Sequence, residues 1–183
     1  MACVAILSAC TAALPTVIEE MDETTAASVT YSQTSIGLSP DAIFDRENTR
    51  PYVDLGVIRI NRNRIRRYFI WLGIWDINFA ADMDQQPKQF ESIVLLMDGE
   101  ELPLDVLSWN HEMIGTSKRI YKKLFPQAID AYYQVTLEQM QLLAGAQVIG
   151  VRTTGSQPRE FVPWYKEEKA KADLAEFIRR VSP

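Results

Sequence analysis

Cysteine and histidine are nearly absent from this chain of 183 residues, which has two cysteines, both among the first ten positions, and one histidine, His111. The usual nitrogen and sulfur ligand sets of zinc cannot be built from one imidazole and no later thiol, so no metal and no cofactor is expected. The same scarcity excludes a disulfide framework from everything after position 10. Positive charge is also the minority: 19 Lys and Arg stand against 24 Asp and Glu, for a net charge of −5. That balance argues against a nucleic-acid partner, whose footprint is a strongly basic domain. Glycine-rich phosphate loops and the Gly-x-Ser-x-Gly elbow are missing. So is any apolar run of the roughly 18 residues that a spanning helix needs. Asp82, Asp84, Asp98, Glu100 and Glu101 carry oxygen ligands, but their spacing does not match the calcium-loop pattern.

The first fourteen residues hold no charged side chain and read as an apolar run ending in small residues. That is how the end of a secretory signal looks. Within it, Leu7-Ser8-Ala9-Cys10 resembles the lipobox of bacterial lipoproteins. The resemblance covers four residues and implies cleavage before Cys10, acylation of its thiol and attachment to a membrane. Thr11, standing where an Asp would imply retention at the inner membrane, points to the periplasmic face of the outer membrane. The alternative is an apolar first element of a cytoplasmic domain.

Three segments follow on this reading: residues 1–9 as signal remnant, residues 10–27 as the lipidated cysteine with a flexible acidic tether carrying Glu19, Glu20, Asp22 and Glu23, and residues 28–183 as one domain. A domain of that size buries roughly 70% of its unfolded surface and needs no staple.

Within the domain, alternation over Ala27 to Gln33 predicts a strand, which Gly37-Leu38-Ser39-Pro40 breaks before a short helical turn through Ala42 and Phe44. Tyr52 to Ile60 and Ile65 to Ile77 predict two long strands joined by a turn at Asn61-Arg62-Asn63. Both faces of the second are apolar, so it should lie mid-sheet and be covered on each side. Asp98-Gly99 joins strands over Ser92 to Met97 and Leu102 to Leu107. Lys118 to Phe125 is expected as a short basic helix with Ile120 and Leu124 inward and Tyr121 as a third inward candidate, ended by Pro126. After a strand at Tyr132 to Val135, Thr136 and Gln139 have capping-box spacing for a helix to Gly145. Strands at Val148 to Arg152 and at Phe161-Val162 lead into an amphipathic helix from Trp164 to Val181, with Ala170, Leu174, Phe177 and Val181 on one face. The sum is an α+β domain: an antiparallel, curved sheet of about five to seven strands with two to three helices, the C-terminal one packed on the sheet. A β-sandwich with helical additions is the alternative.

Three groups of residues are candidates for function. Ser117, His111 and Asp105 contain the side-chain types of a nucleophile, base and orienting acid, though no motif surrounds them. Arg59, Arg62, Arg64, Arg66 and Arg67 form the most uneven charge feature, suited to an anionic lipid, a glycan or an acidic envelope protein, or else paired with local acids such as Asp54 and Asp76. Phe69, Trp71 and Trp75 line one strand face, with Gly73 leaving a notch between the tryptophans. A ligand ring or acyl chain fits such a notch, as do Leu174 and Phe177 of the C-terminal helix. The expected activity is binding or scaffolding at the cell envelope. A periplasmic carrier of lipid or glycan is the alternative, and a hydrolase using His111 is the least supported.

Overall fold

The computed structural model describes residues 16–40, 51–76, 88–123 and 125–182. Cys10, the lipobox, Ala42, Phe44, Asp82 and Asp84 lie outside them. The described residues form one antiparallel sheet of ten strands with three helices, an α+β arrangement with more strands than the five to seven expected.

Two long strands, β4 (Pro51–Arg62) and β5 (Ile65–Asp76), form the spine, paired along their whole length from Pro51 opposite Asp76 to Arg62 opposite Ile65. Their turn is tighter than expected: Asn63 and Arg64 alone make it, both with positive φ, as a two-residue hairpin connection requires. The far edge of β4 is shared by β2 (Ala27–Ser32) and β3 (Ile36–Pro40). The residues expected to break the chain at Gly37 to Pro40 are therefore paired, because β4 is long enough to serve two partners. β1 (Val17–Asp22) pairs with β2 and corrects the expected tether. Its acids are held across strands: Glu19 by Arg59 and Ser28, and Glu20 by Lys118.

Beyond β3 the order continues through β10 (Glu160–Tyr165), β9 (Ile149–Thr153), β6 (Ser92–Met97) and β7 (Glu100–Asp105). On the other side, β8 (Ile129–Val135) pairs with β5, which lies mid-sheet. The sheet curls until the segment after β7 meets β8, where Leu107 N–H donates to Tyr132 O and Tyr132 N–H to Ser108 O, each at 2.8 Å. Asp98-Gly99 is the β6–β7 turn, as its composition predicts, both residues having positive φ.

Helix α1 (His111–Ile114) is a single turn capped by Asn110. Helix α2 (Leu137–Gly145) begins with the capping box: Gln139 N–H donates to Thr136 Oγ1 at 3.2 Å, and Thr136 N–H to Gln139 Oε1 at 2.9 Å. Helix α3 (Glu167–Val181) starts later than expected, because Trp164 and Tyr165 belong to β10. Among the described residues no helix is long and apolar enough to cross a membrane.

The two faces of β5 serve two cores. Tyr68, Ile70, Leu72 and Ile74 pack in the larger one with Ala170, Leu174, Phe177 and Val181 of α3. Phe69 and Trp71 pack in the smaller one with Val29, Ile58, Ile60, Ile114, Ile120, Tyr121 and Tyr132. The expected helix is not formed by the described residues of 118–125, and Leu124 lies outside them. Arg119 and Lys123, spaced as if on a helix face, both pair with Asp130, while Ile120 and Tyr121 are buried as single plugs.

Candidate binding surfaces

His111, Ser117 and Asp105 are not brought together. His111 Nδ1 lies 3.2 Å from Thr116 O, Ser117 Oγ donates to Asp22 Oδ1 at 2.7 Å, and Asp105 Oδ1 accepts from Ser92 Oγ at 2.5 Å. Each polar group has a different structural partner, so this set offers no base poised on a nucleophile. Among the described residues no three His, Cys, Asp or Glu side chains converge as a metal site does.

The notch expected at Gly73 is closed. A Cβ there would meet the Trp71 ring at 2.5 Å, and one at Gly56 would meet the Tyr121 ring at 2.4 Å, so the two glycines make room for two rings of the protein itself. Those rings stack on each other at 4.5 Å and 16°. Tyr121 Oη donates to Val57 O and accepts from Val57 N–H, each at 2.9 Å, and also bonds Ser32 Oγ. Burial holds its hydroxyl far above the usual tyrosine range, so it stays protonated. Trp71 Nε1 donates to Asp130 Oδ1 at 3.0 Å. Phe69 and Trp71, 0% and 2% exposed, are thereby corrected from binding surface to core. The cover is the 114–121 segment. Leu174 and Phe177 lie in the other core.

Trp75 belongs to a different environment further along the strand. The strand register places Gly37, Tyr52, Asp54 and Trp75 on one face of β3, β4 and β5. Tyr52 stacks on Trp75 at 4.6 Å and 16°, and Phe125 closes the other side of the indole at 5.1 Å. From Tyr52 the strip continues to Trp164 at 5.4 Å and then to Tyr165 at 5.7 Å, and Lys166 Nζ lies 4.8 Å from the Tyr165 ring centre. A β-bulge between Pro163 and Tyr165 makes this possible. The extra residue cancels the strand's alternation, so Trp164 and Tyr165 both face solvent at 53% and 55% exposure. Gly37 lies alongside both residues, and a Cβ there would stand at contact distance, 3.4 Å, from Trp164 Nε1 and from Tyr165 Cβ.

Beneath the strip lies Asp54, half-buried, with Trp75 Nε1 donating to its Oδ2 at 3.0 Å. Burial raises its pKa to about 6, against the opposing pull of that hydrogen bond and of the Lys166 charge. The strip is therefore an apolar ledge on rigid strands with one titratable acceptor under it. Of its members, sequence reasoning singles out Trp75 alone. Tyr52, Asp54, Trp164 and Tyr165 escape it, and the adjacent Trp164-Tyr165 ahead of a helix is the one available signal.

The arginine cluster divides. Arg59 pairs with Glu19 at 3.0 Å and donates to Thr30 Oγ1 at 2.7 Å. Arg67 donates to Ile114 O at 2.6 Å and lies 5.5 Å from the Phe69 ring centre. Both are structural. Arg62, Arg64 and Arg66 are exposed around the turn, and among the described residues no ion pair involves them. Of the suggested acids, Asp54 instead accepts from Trp75 Nε1.

A third feature is an open groove of about 600 Å³ between the β6–β7 turn and α2, rimmed by Asp98, Glu100 and Glu138 with Leu142. Asp98 is engaged there, accepting from Gln147 N–H and Val148 N–H. No protein-family model, no curated protein and no solved structure matches this chain.

Proposed function

We propose that this chain is a binding domain of the bacterial cell envelope, held at the periplasmic face of the outer membrane by an acylated Cys10, whose ligand is a glycan taken along the aromatic strip. The observation that carries the reading is the exposed ledge formed by Trp164 and Tyr165 and backed by Tyr52 and Trp75. Sugar rings present apolar C–H faces and polar rims, and aromatic rings with polar edges complement them. A strip one ring wide is too narrow for a standard protein interface, which buries about 800 Å² on each partner. The net charge of −5 disfavours single-stranded nucleic acid on the same rings. Binding, with no bond made or broken, agrees with the dispersal of His111, Ser117 and Asp105 onto separate structural partners.

Two experiments test it. In cells producing the protein with its native upstream region, labelled palmitate should enter the wild type and not Cys10→Ala; equal labelling of both, or none in either, refutes the anchor. In gels containing cell-wall glycan strands, the wild type should be retarded and Trp164→Ala should migrate freely. Equal mobility of both proteins refutes the ligand reading while leaving the anchor to its own test.

A further inference from the structure

We propose that the β4–β5 turn, Arg62 to Arg66, docks on an anionic phospholipid surface, with Ile65 as its apolar contact. This surface is separate from the aromatic strip, and its chemistry does not require acylation of Cys10.

The five arginines of this hairpin differ in what they bind. Arg59 and Arg67, at its root, are consumed by Glu19, Thr30 and Ile114 O. Arg62, Arg64 and Arg66, at its tip, are exposed and hold no carboxylate among the described residues. In a chain of net charge −5, three guanidinium groups at one end are thus without an ion pair among the described residues. Among the described residues, the acids that the strand register and α1 bring to that end are Asp22, Glu23 and Glu112. Asp22 is buried and bonded to Ser117, while Glu23, on the β1–β2 turn, and Glu112, on α1, are exposed and balance two of the charges at most. The tip remains positive.

Apolar exposure coincides with this charge. Ile65 sits between Arg64 and Arg66 and is 66% exposed. Met21 is 63% exposed and belongs to the same end, since the register runs from Met21 through Ser28 and Asn61 to Arg66. Met113, 71% exposed, is next to Ile114, whose carbonyl Arg67 binds. A soluble polyanion would complement the arginines but leave these side chains wet. A bilayer takes both, because guanidinium groups reach phosphates at the headgroup level while aliphatic side chains enter the acyl boundary. The turn is tight, with Asn63 and Arg64 alone making it at positive φ, so the tip is narrow.

The test uses the full chain as Cys10→Ser, so that no acyl group contributes. Co-sedimentation with phosphatidylcholine vesicles containing phosphatidylglycerol is compared with pure phosphatidylcholine, at low and high salt. Binding is expected only to the anionic vesicles and should weaken as salt rises. Near an anionic surface each arginine changes partition about five-fold, so Arg62→Gln, Arg64→Gln and Arg66→Gln together should lower it about 100-fold. Ile65→Ser should lower it several-fold with charge unchanged, and Trp164→Ala should leave it as in the wild type. The four turn positions are exposed, and an unchanged circular dichroism spectrum and melting temperature certify the fold. Equal binding to neutral vesicles, no binding to either kind, or an unaffected triple variant overturns the proposal. An unaffected Ile65→Ser overturns it in favour of a simple polyanion site.

Discussion

Asp54→Asn should make the protein more stable at neutral pH and leave it nearly unchanged at pH 4. The Asp54 carboxyl is half-buried and accepts one hydrogen bond, from Trp75 Nε1 at 3.0 Å, and burial raises its pKa from 3.8 to about 6. A carboxyl whose folded pKa is raised binds its proton more tightly in the folded state. Its contribution is therefore most favourable below pH 3.8, weakens as pH rises from 3.8 to about 6, and is constant above. At about 1.36 kcal/mol for each pH unit of that rise, keeping the carboxylate charged in the folded protein costs about 3 kcal/mol at neutral pH. Asparagine keeps the acceptor for Trp75 and removes the charge, but an amide costs roughly 1 kcal/mol to desolvate. The net gain at pH 8 is then about 2 kcal/mol, falling to near zero at pH 4, where the folded-state aspartic acid is itself neutral. Urea unfolding of both proteins at a series of pH values measures this directly. Every other titrating group is common to the two proteins and cancels in the difference. A variant destabilised equally at pH 4 and pH 8 would refute the reasoning, as would direct titration of Asp54 near pH 4.

Three further outcomes follow from the smaller core and its edge. Tyr121→Phe removes the hydroxyl that serves Val57 N–H, Val57 O and Ser32, and should cost about 1–3 kcal/mol in chemical denaturation with faster amide exchange at Val57. Gly73→Ala drives a methyl into the Trp71 ring, which is held between Tyr121 and the sheet; a loss of about 1–3 kcal/mol from overpacking should show in the same assay, with altered near-ultraviolet dichroism. Asp22 has the opposite sign to Asp54: the Ser117 backbone N–H, aided by the Ser117 hydroxyl and Thr25, lowers its pKa to about 2 against its burial, so its contribution is full above pH 3.8 and is lost as pH falls toward 2. Asp22→Asn should flatten the acid limb of a stability curve, and an unchanged limb would show that Ser117 does not grip the carboxylate.

What can be read from the sequence is local. The β4–β5 pair, the Asp98-Gly99 turn, the Thr136 capping box and the Ala170, Leu174, Phe177, Val181 stripe each depend on residues a few positions apart, and each is formed. What escapes it depends on distant partners. β1 has tether-like composition because its acids are satisfied from elsewhere, by Arg59 forty residues away, Ser117 ninety-five and Lys118 ninety-eight. Arg119 and Lys123 imitate helical spacing, yet their common target, Asp130, lies on a strand. The aromatic face of β5 is visible in the sequence but its occupant is not: Trp71 is covered by Tyr121, which helical spacing offers as an inward residue without showing what it covers. The exposed strip depends on one bulge in β10, which changes the orientation of Trp164 and cannot be read from alternation.

The central claim, that the aromatic strip binds a glycan, is tested most directly by the indole N–H signals of the four tryptophans in a nuclear magnetic resonance titration with soluble cell-wall glycan fragments. Saturable shifts of Trp164 and Trp75, with Trp71 unmoved beneath Tyr121, are predicted, and Trp164→Ala should abolish the Trp75 shift. Four signals unmoved at saturating glycan, or a response at Trp71 without one at Trp164, would contradict the account.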